Sequence, residues 1–378
     1  MPNIQLRVLF DCHTFDVGWQ GTTTYLAGLI NALPAVVSQR APNINLQIIC
    51  AAKSQESINR FINVDFDFEP IRTGFIARNL IDIPLVSRRC GANLVVSQYV
   101  RPFFSVCPTL CVIHDVLFLD FPESFSLKYR IIRKIFFTWS AKNSNFVSTV
   151  SQYSAKQIAH HLGIRQDTIL VISNAVDPAF LNRQNTSEPD NKNFRLLSVS
   201  RLERRKRHEW GIYALEALAS RGITASYTIV GTGNDMYSKE LHTLAEQANK
   251  KKGINVVIKS GLDFESLIQE YIATDLFLCP SIAEGFGIPV IESAAVGIPC
   301  VSSDGGALSE LEGQFIGRMV SAQDREGFID AVCDLASNIK LHHFTAQHMR
   351  RKVAETYNWE AVANAYVDVI VSLAKEKK

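Results

Sequence analysis

The sequence predicts an α/β protein of two Rossmann-like domains, each with a parallel sheet. Three observations predict this. Short unbroken apolar runs alternate with helical periods, the pattern of strands buried on both faces by crossover helices. The alternation stops at 182–193, where NRQNTSEPDNKN holds no apolar residue, and then starts again. The length, 378 residues, fits two domains of ~100–200 residues each.

In order along the chain, residues 6–11 (LRVLFD) read as the first strand, and 25–33 as a helix with Leu26, Leu29, Ile30 and Leu33 on one face. Strands follow at 46–52, 93–98, 109–115 and 146–151. A basic amphipathic helix, 125–142, lies between the last two. After the polar stretch come strands at 195–200, 226–230, 255–260, 276–281 and 299–303. The helices between them are one ending near 220, then 235–252, 264–273 and one starting at Pro289. The expected domains are therefore 1–181 and 194–358, with 182–193 as linker. Loops after strands in such domains carry the chemistry.

Composition excludes several classes. The chain is 47% hydrophobic and 20% charged, so it is not a disordered protein. Its formal charge of +2 is not that of a dedicated nucleic-acid binder, although residues 1–183 carry +5 and the remainder −3. The longest uncharged run, 17–39, contains GWQGTTT and Pro34 and is no membrane span. The opening MPNIQLRVLF reads as a strand rather than a signal peptide. Eight cysteines without a CxxC pair read as reduced core thiols of a cytoplasmic protein. Walker A, HExxH, GxSxG and zinc-ligand spacings are absent. The one DxD, Asp65-Phe66-Asp67, reads as surface, and no metal is expected.

Five loops are candidates for function. RLERRKR, 201–207, sets five basic residues where a helix begins, against the helix dipole, which suits a bound anion better than a solvated face. The run Lys250–Lys252 closes a helix instead and needs no ligand. SIAEGFGIPVIESAAVGIP, 281–299, puts Gly285 and Gly287 before a helix. Glu284 and Glu292 are equally readable as ligands of a vicinal diol or as a surface acid and a helix-terminus acid. GTGND, with Gly231 and Gly233, is a nucleotide contact or a plain tight turn. Gly21 in GWQGTTTY is a phosphate contact or part of an N-cap. His114, ending the strand TLCVI, is structural or faces a ligand.

Taken together, SVSRLERRKR, IVGTGND and EGFGIPVIE followed by SAAVGIPCVSSDGG resemble the retaining GT-B glycosyltransferases of family 4. GTTTYLAGLINAL, VIHDV and VISNAVDPAF are similar to other segments of that family, so the resemblance covers nearly the whole chain. It implies two sheets facing across a cleft, with the last helix, 359–378, packing back on the first domain. It implies a nucleotide-diphosphate-sugar donor on the second domain, with GDP-mannose favoured, and a glycan or lipid-linked acceptor on the first. Arg201 and Lys206 match the pair holding the diphosphate, and Glu292 the acid on the ribose hydroxyls. Glu284 matches the acid beside the donor sugar, Gly285-Phe286-Gly287 the loop around it, and His114 a histidine facing that sugar. His114 and Glu284 are expected to meet only when the domains close. Surface-polysaccharide synthesis and transfer with retention, without a cofactor, are the further implications. The first loop departs from the family in lacking an adjacent double glycine. A GT-B sugar-nucleotide epimerase and a non-catalytic nucleotide-sugar binder share these features. A dehydrogenase built on GTGND lacks the third glycine.

Two further expectations concern single residues. Lys206 should be exposed in the empty site, so its loss should spare the fold. Helix 125–139 carries Lys128, Arg130, Arg133 and Lys134 without an acid, with Ile131, Ile135, Phe136 and Trp139 at helical spacing. It is readable as a peripheral contact with an anionic membrane or as a core helix with a solvated basic face.

Overall fold

A computed structural model describes residues 4–376 apart from 19, 73, 184–193 and 316. The chain forms two units, 1–175 with 358–378, and 176–357.

The first unit is a seven-stranded sheet in the order β3-β2-β1-β4-β5-β6-β7, with every pairing parallel. Its strands are β1 (Ile4–Asp11), β2 (Ile44–Ala52), β3 (Asp67–Pro70), β4 (Leu94–Gln98), β5 (Thr109–Val112), β6 (Phe146–Thr149) and β7 (Ile169–Val171). Its helices are α1 (Gly21–Arg40), α2 (Gln55–Asn59), α3 (Phe75–Ala77), α4 (Ile83–Arg89), α5 (Leu117–Asp120), α6 (Leu127–Asn143) and α7 (Gln152–Leu162). A π-helical turn, Arg78–Asp82, joins α3 to α4. Consecutive residues Val8, Leu9 and Phe10 are all buried, as a strand covered on both faces requires.

The second unit holds β8 (Phe194–Val199), β9 (Ala225–Val230), β10 (Ile254–Lys259), β11 (Leu276–Cys279), β12 (Cys300–Ser303) and β13 (Gly317–Val320), in the parallel order β10-β9-β8-β11-β12-β13. Its helices are α8 (Pro178–Leu181), α9 (His208–Ser220), α10 (Met236–Ala248), α11 (Phe264–Ile272), α12 (Ile288–Val296), α13 (Arg325–Ser337) and α14 (Ile339–Thr356). In each sheet the strand order reverses beside the first strand of its unit, between β1 and β4 and between β8 and β11. Those are the points where parallel sheets open a crevice for ligands.

The final helix, α15 (Trp359–Glu376), returns to the first unit and lies along α1. Gly28 faces the Trp359 indole, which occupies the space a Cβ would need. The hydroxyls of the buried Tyr25 and Tyr366 lie 3.1 Å apart, and Arg40 pairs with Asp368 at 2.9 Å.

The junction is not where the sequence placed it. The chain changes unit between Ala175 and Val176, ahead of 182–193. Asp177 caps α8, and the buried Phe180 packs edge-on against the rings of Phe264 and Tyr271 in the second unit. The Arg350 guanidinium also donates to the carbonyl of Leu181 at 2.8 Å. Residues 184–193 lie outside the described residues. Asp65 and Asp67 are both exposed, at the approach to and start of the edge strand β3. Among the described residues no helix is long and apolar enough to cross a membrane.

Because Trp359 fills the site of the missing Cβ, Gly28→Val should cost roughly 1–3 kcal/mol by overpacking. Denaturant melts read this as a lower midpoint at unchanged slope.

Candidate active site

The loop after β8 and the loop after β11 meet at the reversal point of the second sheet. Ile282 donates its amide to the carbonyl of Arg205 at 2.8 Å, and Ser198 Oγ to that of Leu278 at 2.7 Å. Residues 204–206 make one 3-10 turn, closed by Arg207 in the left-handed region at φ 50°. That turn sends its basic side chains different ways. Arg204 is exposed and pairs with Glu240, whereas Arg205 and Lys206 turn inward.

Lys206 is therefore buried, contrary to the expectation that it stands exposed. Its Nζ donates to Glu284 Oε1 at 2.5 Å, and the same oxygen accepts from Ser281 Oγ at 2.6 Å. Arg205 Nη1 lies 3.6 Å from the other Glu284 oxygen and donates to the carbonyl of Ala283. Burial alone would raise the Glu284 pKa; the Lys206 and Arg205 charges outweigh it and hold the carboxyl at about 2. Burial dominates at Lys206 and draws its pKa down, opposed by Glu284.

Arg201 remains exposed and pairs with Glu203 at 2.9 Å. Arg201, Arg205 and Lys206 thus stand with the carboxylates of Glu203 and Glu284 at this edge. Arg201, Leu202, Glu203, Thr232, Gly233, Asn234 and Asp235 line a cavity of about 360 Å³. Gly231 and Gly233 are required by close packing: a Cβ on either would strike the backbone at Ser200 or Leu202. The first amide of α9 is not open to a phosphate, because His208 donates it to Tyr237 Oη at 2.9 Å. The buried His208 ring also reaches back to Ser200 Oγ and the Arg201 carbonyl, at 3.1 and 3.3 Å.

Gly287 sits at φ 104° as the N-cap of α12, with Leu308 beside its Cα. Phe286 turns its ring inward against Tyr357. Glu292 lies on α12 and accepts from Tyr271 Oη at 2.7 Å through Oε2. Burial raises its pKa to about 7; the Tyr271 hydroxyl pulls it down and Asp177 pushes it up.

In the first unit, His114 follows β5 and is buried. Its Nε2 donates to Gln98 Oε1 at 2.8 Å, and its ring lies edge-on to Tyr25 at 5.0 Å. Burial lowers its pKa to about 4, so the imidazole is neutral at pH 7. Gly21 opens α1 with free space where a Cβ would stand, so nothing around it demands glycine. The neighbouring threonines do not cap the helix: Thr23 Oγ1 donates back to the Gly18 carbonyl at 2.9 Å.

Arg205, Ser281, Tyr271, His208 and Gln98 belong to these networks and were not singled out in sequence. Arg205 is one of five basic residues in seven, and only the left-handed closure at Arg207 decides which point inward. Ser281 opens the glutamate loop and could have been read as its partner. Tyr271, ten residues before the loop, carries no signal.

These loops match known proteins. A model described as glycosyl transferases group 1 covers residues 181–352, and one described as glycosyltransferase family 4 covers 20–180. The chain belongs to the GT-B glycosyltransferases of family 4. A glycogen synthase of Mycobacterium tuberculosis is 28% identical over 247 residues, 64% of this chain and 57% of that protein. The match thus spans little more than half of the relative. A sucrose-phosphate synthase structure from Thermosynechococcus elongatus superposes with a TM-score of 0.74 at 17% identity, covering 98% of this chain and all of the other. The Anabaena HepE structure in complex with UDP-glucose gives 0.72 at 17%, covering 97% and 100%. Both share the two-sheet family fold.

Glu292 binds its proton more tightly folded, at about 7, than at the ordinary 4.5, so stability falls as pH rises between those values. Glu292→Gln removes this titration. The variant should match wild type at pH 4 and exceed it by on the order of 1–3 kcal/mol at pH 8. Denaturant melts at the two pH values test this.

Proposed function

We propose that this glycosyltransferase is a hexosyltransferase acting with retention on a nucleotide-diphosphate-sugar. The observation that carries the reading is the Arg201–Arg205–Lys206 cluster, which gathers with Glu284 where the loops after β8 and β11 meet; Arg201 also lines the cavity beside the loop after β9. Guanidinium and ammonium donors of this kind suit a diphosphate. Arg201 and Lys206 would take up the charge that grows on the leaving diphosphate, in the place a metal takes elsewhere, and no cofactor enters the scheme. The bond between the sugar anomeric carbon and the phosphate oxygen breaks. The acceptor hydroxyl attacks that carbon from the same face and passes its proton to the departing phosphate. Glu292 accepts from the ribose hydroxyls. The 285–287 backbone and Glu284 adjoin the sugar, and the neutral His114 hydrogen-bonds a sugar hydroxyl.

GDP-mannose is the donor ranked first from sequence. UDP-glucose, which HepE holds, is its main competitor. The acceptor is a glycan or lipid-linked glycan of surface polysaccharide. A donor panel assayed with and without acceptor extracts tests the class. Sugar transfer supports it, whereas donor turnover that needs no acceptor points to an epimerase. Lys206→Met should lower turnover ~30- to 1000-fold, equal to ~2–4 kcal/mol. It should also lower stability, because Glu284 loses its closest partner. Near-normal turnover overturns the diphosphate assignment.

The lipid-linked acceptor is joined by a proposed peripheral contact with anionic membrane on the cytoplasmic side. Ile131 and Ile135 of α6 are 52% and 61% exposed, so they do not pack under the sheet. Lys128 and Lys134 stand exposed on the same helix. Phe75, Phe103, Phe136 and Trp139 form a run of ring contacts beneath, and exposed Ile76 and Phe104 adjoin two of those rings in sequence. Apolar side chains among cations suit an anionic bilayer. The full chain should float with phosphatidylglycerol vesicles in a salt-sensitive way, and Ile131→Ser/Ile135→Ser should not. Absence of binding by folded wild type overturns the contact.

A further inference from the structure

The inner face of α6 presents a second feature. Its first two turns carry Lys128, Arg130, Arg133 and Lys134 and no acid, at the helix end where the dipole disfavours cations. Lys128 and Lys134 are exposed and find water. Arg130 and Arg133, three residues apart and so on one face, are half-buried.

Arg133 makes no ion pair and no hydrogen bond to any described residue. Its guanidinium lies over three rings, 4.7 Å from the centre of Tyr129, 5.7 Å from Phe137 and 6.0 Å from Tyr99. Stacking steadies the cation, but a ring face takes up few of its five N–H donors. Arg130 Nε is closed off from solvent without an acceptor. Two half-buried guanidiniums with unmet donors and no ion pair to any described residue form a site whose missing member is an anion.

The location gives that anion a role. Tyr99 directly follows β4, at the carboxyl edge of the first sheet, in the left-handed region at φ 63°, a strained backbone for a tyrosine. Its ring stacks on Phe137 at 5.2 Å and leans on His114 at 5.4 Å. Arg133 and His114 thus both adjoin one ring, held by a strained residue at the edge where such sheets bind ligands.

We propose that Arg130 and Arg133 bind a phosphate group of the acceptor, so that the acceptor is a phosphorylated or diphosphate-linked sugar rather than a neutral glycan. The inference rests on the reading that the acceptor occupies the first unit. Guanidinium forks pair bidentately with phosphate oxygens, which gives orientation as well as affinity. The phosphate can come from a soluble sugar phosphate or from a lipid-linked diphosphate.

Peptide-resolved hydrogen exchange on the full chain tests this, with pyrophosphate in solution as one probe and phosphatidylcholine vesicles with and without phosphatidylglycerol as the other. Pyrophosphate should slow exchange several-fold across 127–136 in wild type and in Lys206→Ala, which removes the diphosphate lysine of the other unit. Arg133→Met keeps the stacking volume without the charge and should lose that protection, as should Arg130→Gln. Protection by pyrophosphate assigns a soluble phosphate. Arginine-dependent protection that appears only with phosphatidylglycerol vesicles assigns a lipid phosphate. No protection from either probe, or equal protection in Arg133→Met, overturns the site. No donor is present in these measurements, so their failure is distinct from a failure of glycosyl transfer on the donor panel.

Discussion

The buried contact between Lys206 and Glu284 is the interaction on which the second unit's site depends. It ties the turn after β8 to the loop after β11 across the point where the strand order reverses. A buried ion pair gains little unless the remaining hydrogen-bonding capacity of its carboxylate is met. Here Ser281 takes the shared oxygen and Arg205 stands beside the other. The consequence is order: two loops that carry the candidate donor residues are fixed before any ligand arrives. Positive charge that is already positioned costs no reorganisation when a leaving group develops negative charge.

The two glutamates of the 281–299 segment illustrate how surroundings give one residue type two ionisation behaviours. Glu284, among cations, stays ionised far into acid, whereas Glu292, beside Asp177 and apolar rings, takes up its proton near neutrality. Tyr271, held by stacking on Phe277, supplies the hydrogen bond that favours the charged form of Glu292. One carboxylate holds a lysine, and the other has an oxygen that no described residue meets with a hydrogen bond. That arrangement suits a carboxylate awaiting two hydroxyls.

Much of this was legible in sequence because parallel strands buried on both faces leave continuous apolar runs. The strands at 6–11, 46–52 and 226–230 lie inside β1, β2 and β9. Helix α1 extends past the expected 25–33 at both ends, from Gly21 through Pro34 to Arg40. The short edge strands β3 and β13 were missed because their partly exposed residues carry no such run, and β7 because its run, Ile169–Val171, is too short to mark a strand by itself. The polar stretch 182–193 marked a connection but not the unit boundary, which Phe180 places earlier by packing with Phe264 and Tyr271. At the site, motif residues were readable as a set. The inward turn of Lys206 was not, because backbone at Arg207 decides it.

Helix α6 shows the same division on one element, with Ile131 and Ile135 outward and Arg133 over aromatic rings. The spacing of cations gave their number; only packing gave their direction. The central claim is that the second unit holds a diphosphate on its basic turn. The most direct measurement is a crystal structure with the nucleoside diphosphate of the preferred donor. Phosphate oxygens within hydrogen-bonding distance of Lys206 Nζ and the Arg201 guanidinium, with the ribose hydroxyls on Glu292, are the expected result. A diphosphate bound elsewhere, with Lys206 engaged by Glu284 alone, contradicts it.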